Sequence, residues 1–135
     1  MAILFTLHSY FRWVIVLVGL FIIVKYAIGW LQKSNFSSLD NRLSKNFPIL
    51  MDIQVTIGII LLVWGGLAGA GFPRQRLEHA VTLIIATGVT HMLSRWGSAS
   101  APQRFRNRML VVIATFILIF LGVFVLPGGA VRWAF

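Results

Sequence analysis

The chain has no cysteine. That excludes disulfides, thiolate metal sites, Cys-held iron–sulfur clusters and thiol catalysis. Acids are almost as scarce, with only Asp40, Asp52 and Glu78 present. A carboxylate metal cluster is therefore out of reach. Ser9 neighbours His8, but no acid is placed to complete a hydrolytic triad. Charged residues make up 11% of the chain, against about a quarter in a soluble domain. Gly-rich phosphate loops, repeats and low-complexity segments are also missing. Catalysis by this chain alone is not expected.

What is present is apolar. Of 135 residues 59% are hydrophobic, and the mean hydropathy is +0.89. The apolar residues fall in four blocks separated by polar, basic segments. A helix crosses a hydrocarbon core of about 30 Å with about 20 residues, so four crossings use most of the chain. The expectation is all-α: an integral membrane four-helix bundle forming a single transmembrane domain over 1–135. Its helices should span about 4–30, 48–68, 77–96 and 107–126. Tyr10, Tyr26 and Trp30 suit the aromatic belts at the ends of the first helix, and Lys25 can snorkel outward. Met1 to Phe11 carries no Lys or Arg and no small-x-small cleavage pattern follows, so the first helix should remain in the mature protein. The polar segment 32–47 reads as a loop, at most with a short interfacial helix. Pro48 suits the first turn of helix 2, and the Gly-rich stretch before Pro73 ends that helix. Residues 97–102 read as a small-residue loop and 103–108 as a basic run. Gly58, Gly88 and Gly122, inside helices, permit close helix packing.

The net charge is +9, from 12 Lys and Arg. These bases sit at the ends of apolar runs, where anionic headgroups and orientation rules explain them; nucleic acid is not an expected partner. Lys33, Arg42, Lys45, Arg95, Arg104, Arg106 and Arg108 fall on one side, whereas Arg12, Arg74, Arg76 and Arg132 fall on the other. The positive-inside rule then puts the long loops in the cytoplasm and both termini on the outer side.

Ionisable residues in membrane helices are costly and are functional candidates by default. Here they are His8, Arg12, Asp52, Glu78, His79 and His91, with Gln54 as a polar companion. Helices 1 and 3 run in the same direction, so His8 and His79 lie within a turn or two of the same outer face. Two imidazoles at matching depth on parallel helices suit a six-coordinate haem, and bundle cores commonly hold such cofactors. Arg12 lies one turn below His8, and Arg74 and Arg76 lie beside His79; each could meet a haem propionate. Glu78 could orient an imidazole or pair with one of these arginines. A plainer reading leaves both histidines as interfacial residues bonded to headgroups or helix ends. His91 lies roughly 18 Å beyond His79 along the helix, towards the inner side. It could hold a chlorophyll magnesium, bond a quinone carbonyl, or pack against Asp52 or Gln54. Asp52 reads first as an interfacial acid at a helix start, and alternatively as a proton relay to a quinone.

The stretch Leu7-His8-Ser9-Tyr10-Phe11-Arg12-Trp13 resembles a class of short four-helix bacterial membrane proteins described as cytochrome b-like. So do Asp52-Ile53-Gln54 with Ile57-Gly58, and Glu78-His79 with His91 further on. Members of that class tend to end helix 4 with Ile-Pro-Trp; this chain reads Val125-Leu126-Pro127, with Trp133 displaced. The resemblance implies a haem b electron carrier of a bacterial inner membrane, or a small subunit of a respiratory or photosynthetic complex. On the first reading His8 and His79 hold the iron, and Arg12 and Arg76 contact the cofactor. The rival reading is a cofactor-free accessory subunit docked on a larger complex or on further copies of itself. A small transporter or channel is a third option, against which the scarcity of intramembrane charge argues.

Overall fold

The computed structural model describes residues 1–133 and is all-α among them. α1 covers Ala2–Leu31, α2 Ser38–Gly65, α3 Arg74–Thr90 and α4 Ala101–Phe124. α1 packs on α2 and α4, and α3 packs on the same two helices. The four therefore form a ring in which α1 and α3 face each other across the middle.

Local chemistry explains the element ends, including those that differ from expectation. α2 begins at Ser38, not at 48, because Ser37 and Asp40 form a capping box. Each side chain satisfies the other residue's backbone N–H, which removes two of the unpaired donors of a helix start. Pro48 thus lies inside α2 and is buried, where its ring cannot donate to the carbonyl of Ser44. Conversely Pro102, read as the end of a loop, sits in the first turn of α4, and residues 103–106 belong to that helix as well. At the far end of α2 a π-helical turn, Gly66–Ala70, closes the helix. Gly69 there has φ 106, a conformation that a side chain would strain.

α3 is shorter than the expected 77–96. Its α-helical part has 17 residues, and His91–Ser94 continues as a 3-10 turn. Three helical segments are long and apolar enough to cross a membrane: Ala2–Leu31, Ser38–Ala70 and Ala101–Phe124. α3 does not reach that standard.

The core runs along the ring's axis through Ile15, Ile22, Phe47, Met51, Ala86, Val112 and Val123. Outward faces are equally apolar, with Leu17, Phe21, Ile59, Val63, Ile84, Ile117 and Phe120 exposed. A helix that is hydrophobic all round belongs in a large core or a membrane. In water so much exposed apolar surface would drive aggregation.

The end nearest the 32–37 connection is locked by polar contacts. The Tyr26 hydroxyl donates to the Asp40 carbonyl at 2.7 Å and meets Ser44 Oγ at 2.7 Å. Arg108 Nη1 donates to the same Ser44 oxygen at 3.0 Å. Lys25 reaches the buried Asp40 carboxylate at 2.6 Å. Phe36 and Phe105 pack on Tyr26. Three helices, α1, α2 and α4, are thereby tied at one end.

Candidate functional site

At the opposite end a cavity of about 650 Å³ opens between the helices. Its wall is apolar, with Phe5, Ile15, Leu62, Leu83 and Val123 among its members. Its polar side chains include His8, Ser9, Gln54 and His79, with the guanidiniums of Arg12 and Arg76. A further arginine, Arg132, comes from the 3-10 turn Gly129–Trp133 after α4.

His8 is the seventh residue of α1 and His79 the sixth of α3. Their equal depth follows from the parallel run of these helices, and the diagonal placement aims both inward. The ring centroids stand 6.5 Å apart with planes at 78°. His79 Nδ1 lies 2.6 Å from the Gly122 carbonyl. A carbonyl only accepts, so Nδ1 carries the proton and Nε2 keeps its lone pair. Gly122 allows this approach: a Cβ there would overlap the Leu83 side chain.

His8 is held differently. Gln54 Nε2 donates to its backbone carbonyl at 3.0 Å, while His8 Nδ1 is buried without a hydrogen-bond partner. Gly58 of α2 lies under the ring, and a Cβ at that position would come within 3.0 Å of His8 Cε1. Sequence reading placed Gln54 at the start of helix 2 on the inner side. Because α2 begins at Ser38, Gln54 is well along the helix and reaches His8.

The Arg12 guanidinium carbon sits 5.2 Å from the Trp13 ring centre and 5.1 Å from that of Trp133. Its Nε is buried and unpartnered. Arg74 does not join the cavity: it pairs with Glu78 at 2.6 Å on the exposed side of α3. Glu78 therefore orients neither imidazole. Among the described residues no carboxylate lines the cavity, although three arginines do. Arg132 was counted in the charge balance but not read as a site residue; only the chain's return after Pro127 brings it here.

His91 stands apart. Its Nε2 meets Asp52 Oδ1 at 3.0 Å in an exposed pair, the packed alternative among the readings of that residue, with Asp52 and not Gln54 as partner. No group of three or more His, Cys, Asp or Glu side chains able to hold a metal ion occurs among the described residues.

Compared with family models, curated proteins and solved structures, the chain matches none of them.

Proposed function

We propose that the chain is a membrane electron-transfer protein that holds one haem b in this cavity, between His8 of α1 and His79 of α3. The observation that carries the reading is the separation of the two rings. Imidazoles gripping one metal from opposite sides, with bonds of about 2 Å, have ring centres about 6 Å apart; the observed spacing is 6.5 Å. A site with only two protein ligands is sufficient for haem, because the porphyrin supplies the other four nitrogens.

The rest of the lining agrees. The cavity volume lies within the range of about 300–1,000 Å³ usual for cofactor sites. Its apolar wall suits a porphyrin face. Three arginines, with no carboxylate in the lining among the described residues, favour an anionic occupant and disfavour a bare cation. Arg12, Arg76 and Arg132 would bind the propionates. When bound, haem supplies a one-electron redox centre whose potential follows axial ligation, burial and nearby charge.

The protein's own groups do the positioning. The Gly122 carbonyl fixes the tautomer and ring plane of His79, as outer partners of ligating histidines do. Gln54 pins the turn of α1 that carries His8. Trp13 and Trp133 hold the Arg12 side chain in place through cation–π contact. In this reading α3 is a fourth, short crossing shielded by α2 and α4, both termini lie outside, and the membrane is a bacterial inner membrane. A larger membrane complex or a further copy is the expected redox partner, and a quinone is a candidate electron donor or acceptor.

An absorption spectrum of the purified protein, produced with ample haem, tests this. Wild type should show the sharp reduced α band of a low-spin bis-histidine haem. His8→Ala or His79→Ala should abolish or shift that band, and His91→Ala should leave it intact. Colourless wild-type protein with its helices retained would overturn the proposal in favour of the cofactor-free accessory subunit.

A further inference from the structure

All three acidic side chains of the chain are already engaged. Asp40 pairs with Lys25, Asp52 with His91, and Glu78 with Arg74. Arg108 is 3% exposed, yet its hydrogen bonds go to Ser44 Oγ and the Arg95 carbonyl. Both are neutral acceptors. Its guanidinium also faces the Phe36 ring, which Arg104 approaches as well. A buried cation without a counter-charge is expensive, and Arg108 has none within the described protein.

Beside it lies a second cavity of about 380 Å³. One wall is a stripe of α2: Asn41, Ser44, Lys45 and Pro48, at helical spacing. Opposite stand Ser94 and Arg108. The cavity thus gathers two cations, two hydroxyls, an amide and the His91 ring, and no carboxylate lines it among the described residues; Asp52, which pairs with His91, stands outside the lining. Its lip is apolar. Ile49 belongs to the lining and is exposed, and Ile53 and Met92 are exposed nearby in the chain.

We propose that this cavity binds the phosphate of an anionic phospholipid, with Lys45 and Arg108 meeting the phosphate. Asn41, whose amide oxygen accepts from Arg104, offers its N–H as a further donor, and the acyl chains run out over Ile49. Basic pockets between membrane helices on the more positive side bind anionic headgroups in this way. The apolar lip selects a lipid over a free phosphate, because dissolved phosphate gains nothing from exposed isoleucine. The site is remote from the histidine cavity and stands whether or not haem binds there.

Native mass spectrometry of the purified protein in neutral detergent tests the site, with phosphatidylglycerol or phosphatidylcholine added and helix content followed by circular dichroism. One phosphatidylglycerol should be retained in preference to phosphatidylcholine. Lys45→Glu alters an exposed side chain and should keep the fold while weakening retention about tenfold, given the attraction each base contributes. Lys33→Glu, a base outside the cavity, should have little effect. Equal losses in the two variants would show diffuse surface attraction and overturn the proposal. Equal retention of the two lipids would overturn it too. Displacement of the lipid by inorganic phosphate at comparable concentration would reassign the site to a free anion, with the same result.

Discussion

Gly58 and Gly122 bracket the two histidines, and each acts through what it omits. The absent side chain at Gly122 lets its carbonyl reach His79, and the one at Gly58 leaves room for the His8 ring. Gly58→Val would fill that room from α2 and force His8 to move. Since small-to-large changes in packed sites cost about 1–3 kcal/mol, the helices should persist. On the haem proposal the expected result is a several-fold fall in haem bound per chain, measured by the pyridine haemochrome assay, with unchanged far-UV circular dichroism. Unaltered haem content would argue that His8 is not a ligand. The arginines illustrate a different dependence. Arg12 and Arg76 could be placed at the cavity from sequence because they neighbour the histidines there. Arg132 is more than fifty residues from either neighbour in the cavity's histidine pair, save through the fold, and no local pattern marks it.

Helix ends were the least legible feature, and the reason is chemical. Proline fits a first helical turn, but it also sits inside a helix when neighbouring contacts compensate, so Pro48 and Pro102 carry the same signal in opposite situations. The capping pair Ser37–Asp40 is the better guide to the start of α2. Ser37→Ala removes one half of that reciprocal cap and should lower stability by about 1 kcal/mol. Thermal unfolding in detergent would show this as a modest drop in Tm, with the spectrum at the histidine cavity unaltered. The early start has a consequence beyond α2 itself: it puts Gln54 and Asp52 well inside the helix, from where Gln54 reaches the His8 carbonyl and Asp52 the His91 ring. α3 shows the converse case. Its polar first turn and its change to 3-10 geometry at His91 leave fewer apolar residues in regular helix than the hydropathy block suggested.

The bundle has two unlike ends. One is open, apolar and lined by histidines and arginines; the other is closed by Tyr26, Asp40, Ser44 and Arg108. Tyr26→Phe would delete the hydroxyl that joins α1 to α2 at two points. Each lost buried hydrogen bond costs about 1 kcal/mol, and a partner left unsatisfied adds to that. The variant should therefore unfold at lower temperature or denaturant concentration, while the spectrum of the proposed haem stays as in the parent. A spectral change in Tyr26→Phe would mean that the closed end controls the open one and would contradict their separation. With apolar side chains facing both the axis and the surroundings, the three long helices suit a hydrocarbon solvent.

The helical, membrane-suited character of the chain was settled by composition and by the lengths of its apolar blocks. Hydrocarbon burial is additive and local, so each segment declares it alone. The meeting of His8 with His79 was foreshadowed by depth, since a regular helix converts residue number into height at a constant rise. Whether rings at equal height face each other depends on which helices are neighbours and how each is rotated. That information belongs to packing between segments distant in the chain. The same holds for the return of Arg132 to the cavity, the reach of Gln54, and the uncompensated charge of Arg108. Each arises from contacts between parts of the chain that carry no trace of one another in their own residues.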